Sequence, residues 1–258
     1  LFLEHYTNTQ YIGIDISAEL LQDAREYAEK NFHNISFEFK EMDCYNLQYD
    51  DNIFDTVMCQ TLLMHLEHPQ KAVDEMVRVL KPGGVLLCME PDNATSEIKE
   101  SFNNHYELSI EQKMIFKRVA LHRIKGQKIL KRGDWGIGTK LPYLFYNAKL
   151  LDIDMLQNEK INFLIPPYSR PEEKIFLKKY ATSVKTGRSS KQYWQKRHKE
   201  EFLAGGGSEY LYRKFRKLTH VFKETSKQIQ QRVERNDYVF CSGPSLLFVC
   251  KGVKPRSS

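Results

Sequence analysis

Short apolar segments alternate with helical patterns through the first hundred residues, and this alternation restricts the fold more than any other feature. Strand patterns occupy 11–14, 35–39, 54–59 and 85–89, and helical patterns occupy 17–30 and 69–80. Strand–helix–strand repeats at this spacing predict parallel pairing with right-handed crossovers. The sequence therefore predicts an α/β fold, a doubly wound Rossmann-like sheet that is mostly parallel. The nearly unbroken apolar run 85–89 also predicts a strand covered on both faces.

The charge changes sign along the chain. Residues 1–97 hold 6 Lys+Arg and 18 Asp+Glu, whereas residues 98–258 hold 33 and 15. Such an asymmetry predicts two structural units, and helical patterns dominate the basic one. Late strand patterns at 150–156 and 246–250 are expected to complete the sheet. The predicted α/β domain comprises 1–97, about 133–167 and 238–258, and the predicted inserted or appended helical lid comprises about 98–132 and 168–237.

The composition narrows the class of protein. Hydrophobic residues make up 41% and charged residues 28% of the 258 residues, which excludes general disorder. No apolar run reaches the roughly 18 residues of a membrane span. The five cysteines contain no C-x-x-C pair. This argues against a zinc ribbon or a redox dithiol, so we expect no metal site and reduced thiols in a cytoplasmic protein.

Acidic and polar residues follow the predicted strands at their carboxyl ends, where open α/β sheets bind ligands. Asp15 closes the first strand, and its two carboxylate oxygens can accept both hydroxyls of a ribose. Asp43, after the next strand, can accept from an adenine amino group. The alternative for Asp15 is an ordinary turn or helix-start residue, and the alternative for Asp43 is a turn residue in a polar loop. The two together therefore favour an adenosine-binding edge without establishing it.

Four segments resemble the successive motifs of class I S-adenosylmethionine-dependent methyltransferases that act on small molecules. They are 11–17, Asp43-Cys44, 54–66 and 78–84, and 136–142 is similar to a later part of such enzymes. The family's glycine-rich loop follows its first strand, and no such loop occurs at the matching place here. Residues 1–10 resemble the tail of the helix after that loop. We therefore expect the first strand and the loop to lie upstream of Leu1.

The resemblance implies a cofactor and a set of residues that bind it. The cofactor is S-adenosylmethionine, with S-adenosylhomocysteine as the product. Asp15 is expected to hold the ribose hydroxyls and Asp43 the adenine amine. The other implied cofactor-binding residues are Ile16 and Leu20 on the adenine side, Cys44 beside Asp43, and Gln60 facing the methionine portion.

Methyl transfer is an in-line substitution that orientation can accelerate strongly, and a general base is needed only where the acceptor must lose a proton. The candidate bases are His65 and Glu90, with Asp92 as a third. His65 lies among apolar residues and could be a core or helix-start residue. Glu90 and Asp92 could simply cap the loop after their strand. The choice between these roles stays open at the level of the sequence.

The acceptor can be assigned only by class. Helical insertions over the sheet favour an enclosed pocket and a small-molecule substrate. A nucleic-acid or protein methyltransferase that docks on the basic helices is an alternative. A non-catalytic module that binds another adenine cofactor such as NAD is a third reading. The sequence thus predicts a methyltransferase for a small molecule, with these two alternatives.

Overall fold

The structure is a computed structural model of the 258-residue chain. It describes residues 9–32, 35–93, 102–103, 107–157, 163–177, 188–241 and 246–256. Among these residues, no helix combines the length and the apolarity needed to cross a bilayer.

The first strand–helix–strand repeat forms a parallel strand pair with a connecting helix. Strand β1 (Gln10–Asp15) leads into helix α1 (Ala18–Asn31), and strand β2 (Ser36–Glu41) returns beside β1. The Ser17 side chain accepts from the Leu20 N–H and so caps α1. Asp15 pairs in register with Glu41, which places the carboxyl ends of both strands together.

A second strand–helix–strand repeat has the same arrangement. Strand β3 (Phe54–Gln60) passes through a 3₁₀ helix (Leu63–His65) into helix α2 (Pro69–Val79). Strand β4 (Leu80–Pro91) lies parallel to β3. Helix α2 ends at Val79, close to the predicted end at 80, and β4 begins directly after it, earlier than the predicted strand over 85–89. The ladder between β3 and β4 has a register shift between Phe54 and Thr56.

Two later strands complete a four-stranded sheet in the order β3-β4-β9-β6. Strand β6 (Leu151–Gln157) and strand β9 (Leu247–Val253) match the two late strand predictions. Strand β9 is antiparallel to both β4 and β6, so the other three strands run parallel. In the described residues, no ladder joins β1 to β3. The β1–β2 pair packs against the four-stranded sheet through side chains from both repeats, including Ile14, Met42 and Val57.

One face of the four-stranded sheet carries the core. Leu86, Cys88 and Glu90 on β4 are fully buried, whereas Leu87 and Met89 between them are only partly buried. Helix α2 and a short helix, α4 (Leu141–Asn147), cover the buried face. The sequence predicted a strand covered on both faces, and among the described residues the second face of β4 is partly rather than fully buried. Alternation along β4 shows that one face has tighter packing than the other.

The basic part of the chain is mainly helical. Its long helices are α3 (Ile110–Ile129), α5 (Arg188–Ala204) and α6 (Glu209–Glu234), and residues 171–177 are also helical. Ser109 and Gln112 form a capping box on α3, and Ser208 caps α6. Helices α3 and α5 cross closely, because a Cβ on Gly126 would lie 1.6 Å from the Glu201 carbonyl oxygen and one on Gly205 would lie 1.8 Å from that of His122.

The structure also contains a small antiparallel sheet that the sequence did not predict. Strands β5 (Phe102–Asn103), β8 (Phe240–Cys241) and β7 (Phe163–Leu164) pair in that order. Residues 102–103 were expected in a helical segment that starts near 98, but the described helix begins at Ile110. Residues 94–101 lie outside the described part of the chain. Pairing between segments more than sixty residues apart is not visible in local periodicity, which explains the difference.

Candidate functional site

Asp15 and Asp43 lie beside each other at the carboxyl ends of β1 and β2. The Met42 N–H donates to the Asp15 carbonyl oxygen at 3.0 Å, so the two aspartates are joined through one residue. Asp15 Oδ1 accepts from the Ser17 N–H at 2.9 Å, and Asp43 Oδ1 accepts from the Tyr45 N–H at 2.9 Å. In the described part of the chain, Oδ2 of each carboxylate has no hydrogen-bond partner. Each aspartate thus stabilises a turn with one oxygen and can offer the other to a ligand.

Cys44 links this edge to the four-stranded sheet. Its side chain is buried, and burial raises the pKa of the thiol to about 11, with smaller contributions from the charge of Asp43 and from Cys59 and Asp15. The Cys59 thiol lies 3.3 Å from Cys88 Sγ on the neighbouring strand. All five cysteines are free thiols. Cys44 is therefore a protonated residue that packs into the core of the four-stranded sheet.

The side chains beside the two aspartates suit an adenosine group. Ile16 is 73% exposed and Leu20 is 57% exposed, although both are aliphatic. Ile16 directly follows Asp15, and Leu20 lies on the first turn of α1. An adenine base held by Asp43 could therefore pack on both side chains. Gln60 is exposed at the end of β3. Two available carboxylate oxygens beside exposed apolar side chains fit the ribose and adenine of S-adenosylmethionine.

Glu90 lies at the end of β4 and is fully buried. Its Oε1 accepts from the N–H groups of Leu62 and Leu63 at 2.8 Å, and its Oε2 accepts from the Met64 N–H at 3.3 Å. Burial raises the pKa of this carboxyl, and the three N–H donors oppose the rise. Glu90 therefore holds the start of the 3₁₀ helix that carries His65.

His65 is exposed at the end of that 3₁₀ helix. Its pKa is lowered from the ordinary value of 6.5, first by partial desolvation and then by the positive charge of Arg197. The imidazole is therefore mainly neutral near pH 7, the form that can accept a proton. Of the three candidate bases, His65 is the exposed one, because Glu90 and Asp92 are buried.

Asp92 is buried just beyond β4. The Thr139 hydroxyl donates to Asp92 Oδ2 at 2.8 Å, and the Asp92 N–H donates to the Leu246 carbonyl. A Cβ on Gly138 would lie 2.9 Å from the Glu90 carbonyl oxygen, so glycine allows the 136–142 segment to pack against this strand end. The Asp92 side chain thus anchors that segment.

The sequence interpretation missed a group of charged residues in the helical unit. Arg197 Nε donates to Glu201 Oε1 at 2.8 Å, and Arg123 and Arg132 also approach Glu201 within 4 Å. One of these ion pairs could have been predicted from the sequence, because Arg197 and Glu201 have the i, i+4 spacing at which side chains meet on a helix. The other two partners come from distant segments, and only the crossing of α3 and α5 brings them together.

Among the described residues, no group of three or more His, Cys, Asp or Glu side chains has a geometry that could hold a metal ion.

Comparison with known proteins points to one family for the first third of the chain. Residues 1–88 match the family model described as "Methyltransferase domain". Phosphatidylethanolamine N-methyltransferase of Cereibacter sphaeroides is 39% identical over 77 residues, which are 30% of this chain and 38% of that protein. Demethylmenaquinone methyltransferase of Bacteroides fragilis is 36% identical over 81 residues, which are 31% of this chain and 33% of that protein.

Among solved structures, phosphoethanolamine N-methyltransferase 2 of Haemonchus contortus, in complex with S-adenosyl-L-methionine, is 18% identical with a TM-score of 0.41. That similarity covers 96% of this chain and 44% of the other. The sequence matches span only about a third of the length of the curated relatives. The match to the methyltransferase family model is confined to residues 1–88, and the described part of that segment has the alternating α/β structure that the sequence predicted.

Proposed function

We propose that the protein is an S-adenosylmethionine-dependent methyltransferase that transfers a methyl group to a small molecule. The observation that carries the proposal is the adjacency of Asp15 and Asp43, each with one carboxylate oxygen still available, in a domain of the methyltransferase family. Two acceptors at neighbouring strand ends match the ribose hydroxyls and the adenine amine of one adenosyl group.

The proposed roles follow from the positions of the side chains. Asp15 Oδ2 accepts from the ribose hydroxyls, and Asp43 Oδ2 accepts from the adenine amine. Ile16 and Leu20 pack on the base, and Cys44 supports Asp43 from the buried side. Gln60, at the end of β3, faces the methionine portion. The bound cofactor supplies an electrophilic methyl group on a sulfonium.

Catalysis in this proposal depends mainly on orientation and on exclusion of water. His65 takes the proton from an acceptor that must lose one, because it is exposed and mainly neutral near pH 7. Glu90 acts as a positioning residue rather than as a base. Its two oxygens already accept three backbone N–H groups, and it has no exposed surface from which to reach a substrate.

A small-molecule acceptor is favoured over a polyanion. Several cations of the helical unit are already paired with acids, including Arg197 with Glu201, Lys199 with Glu209 and Arg232 with Asp237. Each of these pairs holds its cation against a carboxylate, which makes that cation less available to a phosphate backbone. The helical unit is therefore proposed as a lid on the substrate side. The two relatives named above methylate, by their names, a phospholipid and a quinone precursor, so the acceptor atom is not transferred from them.

The test is calorimetric binding of S-adenosylhomocysteine to the Asp15→Asn and Asp43→Asn variants. Asparagine keeps Oδ1 as the acceptor for the local turn and replaces only the available oxygen with an amide donor. We expect each variant to bind about 10- to 100-fold more weakly, the loss of a hydrogen bond to a charged acceptor. Asp50→Asn, at an exposed position between β2 and β3, is the control and should bind like the wild type.

Wild-type affinity in both Asp15→Asn and Asp43→Asn would remove the assignment of the cofactor site. Equal affinity of the wild type for NAD and S-adenosylhomocysteine would instead favour a general adenine-cofactor module.

A further inference from the structure

Helix α3 exposes eight of its side chains, and seven of these are aliphatic or cationic. We refer to the seven as the α3 stripe. They are the aliphatic residues Ile110, Met114, Leu121 and Ile129, which are between 47% and 74% exposed, and the cations Arg118, Lys125 and Lys128. The eighth exposed residue, Glu111, lies in the first turn of the helix. The exposed part of α3 is therefore both apolar and basic.

The α3 stripe lies on one face of the helix. At 3.6 residues per turn, successive residues are about 100° apart, and all seven positions then fall within an arc of about 100°. The packing contacts of α3 are made elsewhere on its circumference, because Val119 is buried with Phe202 and Gly126 lies against the backbone of α5. No member of the stripe belongs to an apolar cluster among the described residues. The four aliphatic side chains are therefore not part of the core of the helical unit.

The charge of the stripe is positive along most of its length. Helix α3 has one acid, Glu111, which accepts from the Ser109 hydroxyl in the capping turn. Lys128 Nζ pairs with Asp134 at 2.9 Å. In the described part of the chain, Arg118 and Lys125 take part in no ion pair. Two cations without an internal counterion thus stand among the exposed aliphatic side chains.

An anionic phospholipid surface matches both properties of the stripe. Helices that lie on a membrane place aliphatic side chains at the boundary between headgroups and acyl chains. Their Lys and Arg side chains have long, flexible stems and reach back to the headgroup phosphates. A nucleic acid would match the cations but would leave the aliphatic residues in contact with water. A second copy of the stripe would bring cations against cations, so the membrane is the better fit.

We propose that the α3 stripe docks the protein on an anionic phospholipid membrane. The helix lies parallel to the membrane surface, with its aliphatic side chains at the headgroup boundary and with Arg118 and Lys125 against the phosphates. At a rise of 1.5 Å per residue the stripe is roughly 30 Å long, which is enough to contact several lipids. The inference goes beyond the proposed function and does not depend on it, because docking requires neither the cofactor nor the methyl acceptor.

Co-sedimentation of the 258-residue chain with lipid vesicles tests this docking. One set of vesicles contains phosphatidylcholine alone, and the other contains equal parts of phosphatidylcholine and phosphatidylserine. Each Lys or Arg near an anionic surface raises the affinity about fivefold. We therefore expect the mixed vesicles to bind at least about tenfold more tightly than phosphatidylcholine alone. Added sodium chloride should weaken the binding by screening, while the contribution of the aliphatic side chains remains.

Two kinds of substitution in the stripe separate its charge from its apolar surface. The double variant Arg118→Gln/Lys125→Gln should bind the mixed vesicles about 25-fold more weakly, because it lacks both unpaired cations. Leu121→Gln keeps the charge and should bind about tenfold more weakly, because an amide replaces an aliphatic side chain at the headgroup boundary. Glutamine is a good helix former, and all three positions are exposed, so helix α3 should stay folded in both variants.

Matched controls change the same residue types elsewhere. The double variant Arg213→Gln/Lys217→Gln removes two exposed cations from α6, and Leu156→Gln removes an exposed leucine from β6. Both should bind the mixed vesicles like the wild type.

Three results would overturn the inference. The first is equal affinity of the wild type for the two kinds of vesicle. The second is equal weakening by the stripe variants and their controls, which would assign vesicle binding to the general charge and apolarity of the protein. The third is wild-type binding by Leu121→Gln, which would make the stripe a site for a polyanion rather than for a membrane. A dimer that Leu121→Gln dissociates, measured by analytical ultracentrifugation without any vesicle binding, would instead assign the stripe to a second copy of the chain.

Discussion

Gly133 is the position where one methyl group should separate the helical unit from the turn that carries His65. Its φ is +96°, a conformation in which a residue other than glycine is strained. A Cβ there would lie 2.1 Å from the Met64 carbonyl oxygen and 2.8 Å from two backbone atoms of His65. Backbone cannot rotate away as a flexible side chain could. Gly133→Ala must therefore displace one of the two segments.

The expected cost follows from three effects. The positive φ costs an alanine about 1–2 kcal/mol. The forced contact costs about 1–3 kcal/mol, as overpacking usually does. Separation of the segments also breaks the hydrogen bond from the Asp134 N–H to the Met64 carbonyl, worth about 1 kcal/mol. We expect Gly133→Ala to lower the free energy of unfolding by about 3–6 kcal/mol, measured by urea denaturation.

Gly206 supplies a matched control. Its φ is +90°, and a Cβ there would meet nothing within 4 Å. Gly206→Ala should therefore cost only the backbone strain, about 1–2 kcal/mol. Affinity for S-adenosylhomocysteine should stay within about twofold in both variants, because Asp15 and Asp43 lie on other segments. If Gly133→Ala is no less stable than Gly206→Ala, the close contact with the His65 turn is not a stabilising feature of the fold.

Two further expectations concern stability. The pKa of His198 falls from its ordinary 6.5 to about 4 through burial and the charge of Arg123, so the unfolded chain binds more protons between those pH values. Stability should fall by about 2 kcal/mol as the pH drops from 6.5 to 4, and urea titrations of His198→Gln should lack this component; an unchanged slope would contradict it. Lys254 Nζ donates to three backbone carbonyls at the end of α2 and to Asn52 Oδ1. Lys254→Met should cost about 2–4 kcal/mol in the same assay, whereas the exposed Lys251→Met should be near neutral.

The order of strands and helices in the first hundred residues was readable from local patterns. Apolar periodicity and helix caps are local properties, and β1 to β4 appear within a few residues of their expected positions apart from the start of β4. The proximity of Asp15 and Asp43 was also readable, because parallel strands bring consecutive carboxyl ends to the same edge. Their roles toward a cofactor remain proposals.

Other features depended on the tertiary structure. The sequence made Glu90 a candidate base, but three N–H donors from the next loop surround it, and only the folded chain brings them there. The small sheet of β5, β7 and β8 joins segments from three distant parts of the chain, which no local period reveals.

The sequence by itself determined the alternating α/β framework and the edge where its acids gather, since both follow from interactions between near neighbours along the chain. The tertiary structure alone decided which charges meet. Arg123, Arg132 and Glu201 come together because Gly126 and Gly205 let two helices touch at their backbones. Contacts of that kind depend on the packing of surfaces distant in sequence, and short-range patterns do not specify them.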